Sequence, residues 1–262
     1  SLSFLVLRYY STTEASIAQL QTVVHRLTDF RRRIEEAERT MQEAPAHVRQ
    51  GTMISVRDLE VDRPEGGALV EHLSLDVAQG KHLFISGSSG RGKSTLLKAM
   101  AGIWPYASGE IVLPQKGSLL FLPQKPYLSL GNLRDALLYP SFGETVADGA
   151  IREALRSVRL EALADNLDQE ENWSHALSPG EQQRLAFAKI LLLKPAWVFL
   201  DEATSSLDEE NESLMYKLVL EQSPQTTLLS IGHRMSLRFF HKQHLKLGEG
   251  ASWQITEVEE QG

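Results

Sequence analysis

The sequence predicts an α/β fold built around a phosphate-binding loop, and three observations carry that expectation. Gly87-Ser88-Ser89-Gly90-Arg91-Gly92-Lys93-Ser94-Thr95 satisfies the pattern G-x-x-x-x-G-K-[ST]. The apolar run Trp197-Val198-Phe199-Leu200 ends in two adjacent acids, Asp201 and Glu202. Short β-rich runs, Met53 to Val61, Leu69 to Val77, His82 to Ser86 and Glu110 to Leu113, give way to helical patterns from about Leu133 to Leu193. A chain of 262 residues, 42% apolar and 23% charged with 18 Gly and 10 Pro, is long enough for a sizeable core and excludes collagen-like or low-complexity architectures.

The N-terminal segment has a different texture. Leu2 to Leu7 is apolar and is followed by Arg8-Tyr9-Tyr10, the pattern of a membrane helix ending at the headgroups; a buried N-terminal strand or helix fits as well. No run reaches the 18 or so apolar residues of a span. From Ser16 onward, Ile17, Leu20, Val24, Leu27 and Ile34 recur at helical period, interrupted by Arg31. Residues Arg26 to Glu43 carry both charge signs densely, as on a solvated helix face, and Pro45 stops the pattern. The net charge of −7 argues against nucleic acid as a partner recognised by charge across the whole surface. The absence of Cys excludes disulfides, thiolate zinc sites and cysteine catalysis.

The loop at Gly87 sits where its chemistry requires. The strand His82 to Ser86 runs into it, and an apolar-periodic helix with Leu96, Leu97, Met100 and Ile103 runs out. Glycines let the backbone N–H groups turn inward, the helix N-terminus adds positive potential, Lys93 reaches the outer phosphates, and Ser94 suits Mg²⁺. The strand ending at Asp201 and Glu202 reads as buried on both faces. Its carboxylates then fall at the carboxyl end of a strand in the ligand crevice, Asp201 facing the metal and Glu202 placed to polarise a water.

Ser178-Pro179-Gly180-Glu181 is a complete helix start, with Ser178 as N-cap, Pro179 in the first turn and Glu181 closing a capping box. Within Leu177 to Arg184 the same residues resemble the signature loop of ATP-binding cassette (ABC) proteins. The resemblance runs from about Thr52 to Leu247. Gln124 is similar to the glutamine loop, Ser206-Leu207-Asp208 to the D-loop, and His233, after the strand Thr226 to Ile231, to the switch histidine. The stretch Phe4 to Phe30, Ala101-Gly102-Ile103-Trp104-Pro105 and Asn132 to Pro140 resemble bacterial relatives of the peroxisomal half-transporters.

That resemblance implies a P-loop NTPase of ABC ATPase type, with a β-rich lobe, a helical lobe at about 126–178 and an N-terminal helical extension. Residues 1–50 would be the end of a membrane domain and its linker, and 51–262 the ATPase domain. It implies an Mg²⁺-dependent, transport-coupled ATPase, membrane-associated with this domain in the cytoplasm, as at a bacterial inner membrane. A second copy and a membrane-spanning domain are the implied partners. Residues 87–95 (Gly87, Ser88, Ser89, Gly90, Arg91, Gly92, Lys93, Ser94, Thr95) would hold ATP with Ser178 and Gly180 of the second copy, Asp208 lying at the dimer contact. Ser94, Gln124 and Asp201 would hold Mg²⁺; Glu202, His233 and Lys93 would be catalytic. A non-transport ABC ATPase acting on DNA or ribosomes is the alternative, and a nucleotide sensor without turnover a further one. Three departures stand out: Pro179 deletes a backbone donor, Glu181 adds a negative charge beside the anion, and Arg63 falls where the family places an adenine-stacking tyrosine.

Overall fold

The computed structural model describes residues 2–42, 46–115, 117–139 and 146–258, and the chain divides into two compact units, Ser1–Ala44 and Pro45–Gly262. The first unit is one helix, α1 (Leu2–Gln42). The strand alternative for Leu2 to Leu7 is therefore excluded; the side chains of that run lie outside the described set. No helix among the described residues is long and apolar enough to cross a membrane. Opposite charges pair one turn apart, Arg31 with Glu35 at 2.8 Å and Arg32 with Asp29 at 3.3 Å, as the charge pattern predicts. Ile17, Leu20, Val24, Leu27 and Ile34 are exposed.

The second unit begins with β1 (His47–Gln50), β2 (Ile54–Asp62), β3 (Ala68–Val77) and β4 (Leu83–Ser86), followed by α2 (Lys93–Met100), β5 (Ala107–Leu113) and β6 (Leu119–Leu122). Then come β7 (Gly131–Asn132), α3 (Leu133–Leu138), α4 (Asp148–Ser157), β8 (Glu170–Glu171) and α5 (Trp173–Ala176). The chain continues through α6 (Pro179–Leu193), β9 (Trp197–Asp201), α7 (Glu209–Gln222), β10 (Thr227–Ile231), β11 (Gln243–Leu247) and β12 (Trp253–Glu257). Strands order as β1-β5-β2-β3 in one sheet and β12-β11-β4-β10-β9-β6 in the other, with a small β7-β8 ladder. The larger sheet is parallel except at its β11–β12 edge.

Burial explains these choices. Every residue of β9 and β10 is buried, as a strand covered on both faces requires. Their alternate side chains feed two cores. Trp197, Phe199, Leu229, Ile231, Leu83 and Ile85 join α2 and the smaller sheet, while Val198, Leu200, Leu228 and Phe84 pack against the helical segment, α6 and α7. At about 1.5–3 kcal/mol per fully buried large apolar side chain, these cores supply most of the fold's driving force. Local signals set the ends of α6. Ser178 caps it, Pro179 occupies its first turn, and Lys194 at φ 44° followed by Pro195 stops it.

Four expectations change. The units divide after residue 44 rather than after 50, because β1 pairs in parallel with β5, His47 opposite Glu110. Ile103 is outside α2 and half exposed, since the chain leaves the helix through Gly102 at φ 71°. His82 precedes β4 and turns inward, its Nδ1 accepting the Leu228 N–H at 3.1 Å. The helical pattern from Leu133 to Leu193 is interrupted by β8, which pairs back with β7, and by several turns. Within 126–178, residues 140–145 lie outside the described set; the rest shares one core with the larger sheet.

Candidate functional site

Parallel pairing places Ile85, Ile231 and Asp201 in one row across β4, β10 and β9. The residues that follow, Gly87 onward, His233 and Glu202, therefore leave the sheet at the same carboxyl end of its central strands. Residues far apart in sequence are gathered there by register alone.

The loop after β4 folds as its glycines require. Gly92 has φ 84°, a conformation costly for any residue with a Cβ, and a Cβ there would also press on Leu69 at 3.0 Å. Lys93 is buried, its Nζ donating to the carbonyls of Gly87 at 2.9 Å and Ser88 at 3.1 Å, so the ammonium closes the loop from inside. Arg91 points the other way and pairs with Glu249 at 2.9 Å, a contact from the β11–β12 turn that no local pattern announces.

Ser94 donates its hydroxyl to Asp201 Oδ1 at 2.6 Å. Asp201 is buried, and burial raises its carboxyl above the usual range, with the Ser94 bond acting in the opposite direction. No ion pair is recorded for Asp201 among the described residues. A carboxylate and a hydroxyl side by side form an oxygen donor set suited to a hard divalent cation such as Mg²⁺.

Glu202 turns sharply out of β9 at φ 52°, its N–H donating to the Ile231 carbonyl at 3.2 Å. Its Oε1 lies 2.9 Å from His233 Nε2, so the two side chains converge from neighbouring strands. Gln124 follows β6 and is exposed; its carbonyl accepts from Gln183 Nε2 at 3.1 Å. Among the described residues no hydrogen bond joins the Gln124 side chain to Ser94 or Asp201. Gln183, within the Leu177 to Arg184 stretch but given no role by the sequence, is fully buried and also accepts the Ser206 N–H at 2.8 Å. It ties the start of α6 to the segment after Glu202.

Ser178 and Gly180 stand at the start of α6. Their neighbours Leu177 and Pro179, with Gln124, Ser205 and Ser206, line a groove of about 440 Å³. Ser178 bonds within its own turn, and no hydrogen bond joins it to Gly87–Thr95 among the described residues. Asp208 caps α7, accepting the Asn211 N–H at 2.8 Å, which holds its carboxyl below the usual range. Arg63 lies in the tight turn after β2, where its N–H donates to the Gly67 carbonyl at 3.2 Å.

Residues 70–205, just over half of the chain, match the family model described as ABC transporter. An uncharacterized ABC transporter ATP-binding protein of Haemophilus influenzae is 46% identical over 204 residues, covering 78% of this chain and 34% of that protein. The protein sll0182 of Synechocystis sp., with the same description, is 44% identical over 214 residues, 80% of this chain and 32% of its own length. Human lysosomal cobalamin transporter ABCD4 is 38% identical over 219 residues, 78% of this chain and 35% of its own. The chain spans about a third of the length of these curated relatives.

Proposed function

The chain belongs to the ABC transporter family through its ATP-binding domain, and we propose that two copies enclose and hydrolyse Mg-ATP to drive a substrate across a membrane. The observation that carries this reading is the row Ile85, Ile231 and Asp201, which delivers a phosphate loop, His233 and Glu202 to one carboxyl end of the sheet. The transporter names of the relatives favour transport over an ATPase acting on DNA or ribosomes.

In this reading the ATP phosphates take over the cradle of residues 87–95, and Lys93 exchanges its carbonyl partners for phosphate oxygens. Ser94, Asp201 and Gln124 would hold Mg²⁺, which when bound neutralises charge on the outer phosphates. Glu202 accepts a proton from the attacking water. His233 steadies the Glu202 carboxylate and meets the terminal phosphate. Ser178 and Gly180 of the second copy complete the phosphate cage, and Asp208 lies along the contact between copies. The membrane-spanning domain is the further partner, with this unit on the cytoplasmic side, as at a bacterial inner membrane. Helix α1 is the segment that joins them.

Glu202→Gln tests the assignment. ATP binding should persist, turnover should fall by about 10²–10⁴-fold, as for loss of a general base, and an ATP-bound dimer should accumulate. Hydrolysis near the parent rate in this variant overturns it.

A further inference from the structure

Beyond the residues assigned above, the segment after His233 carries a second device. Arg234 extends Nη1 to Glu212 Oε2 at 3.0 Å and Nη2 to the Leu207 carbonyl at 2.8 Å. Glu212, on α7, is buried, and its other oxygen accepts the Thr204 hydroxyl. Thr204 is itself buried and stands two positions after Glu202. A cavity of about 100 Å³ is lined by Glu202, Thr204, Ser205, Glu212, Gly232, His233 and Arg234, so the ion pair forms a wall of the space beside Glu202 and His233.

The chemistry of this arrangement is specific. A buried carboxylate is tolerated only when its partners are held in place, and the planar guanidinium fork is suited to hold two acceptors at once. One acceptor is on α7, the other belongs to the Ser206-Leu207-Asp208 segment, and Arg234 directly follows His233 in the chain. We propose that Arg234, with Glu212 and Thr204, is a positioning unit that fixes the Glu202–His233 pair and the Asp208 segment in one common geometry. It touches neither nucleotide nor water; it acts by restricting where His233 and the turn after Glu202 sit. The inference rests on the proposed ATPase reading.

The test measures turnover at saturating ATP, the KM for ATP, nucleotide binding and melting temperature in the 262-residue chain and its variants. Parent turnover and its loss in Glu202→Gln examine the ATPase reading by itself; a parent without hydrolysis removes that reading and this inference together. Arg234→Lys keeps a cation beside Glu212 but lacks the planar fork that holds the two acceptors at a fixed spacing. It should lower kcat at least tenfold, with KM and nucleotide binding within about twofold and melting temperature nearly that of the parent. Arg234→Ala strands a buried charge and is a poor variant for folding, so Arg234→Met with Glu212→Gln is the second arm. It keeps an acceptor for Thr204, removes both charges, and should lose kcat to a similar extent. If both variants turn over ATP at the parent rate per folded molecule, or lose activity only in proportion to lost folding, the pair is structural and the inference fails.

Discussion

Glu181 Oε2 accepts both the hydroxyl of Ser178 at 2.6 Å and its backbone N–H at 2.8 Å. The hydroxyl proposed to reach a partner's phosphate is thus engaged within its own helix cap. These bonds hold the Glu181 carboxyl below its usual range, the Ser178 side chain contributing most. The ionised form therefore stabilises the fold fully above the unfolded carboxylate value, and the contribution is lost as pH falls through the lowered folded one.

Glu181→Gln keeps an oxygen to accept from Ser178 in the capping box and removes a negative charge near the partner's ATP. A carboxylate at a helix N-terminus contributes about 0.3–1 kcal/mol, so the fold should lose roughly that amount while the ATP-bound dimer tightens by a comparable one. Pro179→Gly restores a backbone donor and should cost about 0.5–1 kcal/mol through chain entropy. Sedimentation of Glu202→Gln chains carrying each change reads the dimer affinity. No change in either would defeat the phosphate role of this loop.

His233 is more than half exposed and touches Glu202 at 2.9 Å. His233→Ala should leave stability within about 0.5 kcal/mol of the parent, as for a surface substitution. Turnover should fall about 10²-fold, the range for loss of a group that orients proton transfer. A melting curve beside a phosphate-release assay separates the two, and unchanged turnover would remove His233 from the site.

Asp201 carries a buried carboxyl raised by desolvation, with the Ser94 hydroxyl as neighbour. Mg-ATP at a hundred times its Kd should stabilise the fold by about 2.7 kcal/mol, and chelation of the metal should remove much of that gain. Asp201→Asn should leave the ligand-free fold as stable or more so, because a costly buried charge disappears, yet abolish the metal-dependent increment. Thermal shifts with ATP, with and without chelator, settle the point; an increment that survives in the variant contradicts the metal assignment.

Burial lowers His82 to about 4 and His241 to about 3, with His241 bonded to Leu237 O at 2.7 Å and Ser230 Oγ at 2.8 Å. Both are neutral in the fold and protonate in the unfolded chain near 6.5. Stability should be full above that value and fall with acid, by up to about 1.4 kcal/mol per pH unit for each group, until the folded values are reached. Urea midpoints between pH 7 and 4 should show this limb, and His241→Gln should flatten it. A pH-independent parent midpoint over that interval would rule these two residues out as its cause.

Much of the site was legible because its signals are local. The phosphate loop announces itself by glycines and Lys93 within one turn, and the Ser178 cap by residues three apart. Strand β9 was readable because an unbroken apolar run ending in acids has few other solutions. Arg91–Glu249, Gln183 with Ser206, and Arg234 with Glu212 were not legible. Each joins groups far apart in the chain, and no short pattern contains both partners. The helix boundary at Ile103 failed for a related reason: apolar periodicity continued past Gly102, whose φ of 71° ended the helix first.

Composition and spacing by themselves determined an α/β unit with a phosphate loop, a paired-acid strand and a capped helix at Ser178, because propensity, periodicity and capping act over a few residues. Only the tertiary structure decided which strands adjoin. Parallel pairing of β4, β10 and β9 set Ile85, Ile231 and Asp201 in one row and thereby brought Glu202 to His233 and Ser94 to Asp201. Strand order depends on how two cores fill on opposite faces of the sheet, a long-range packing condition that no window of sequence contains.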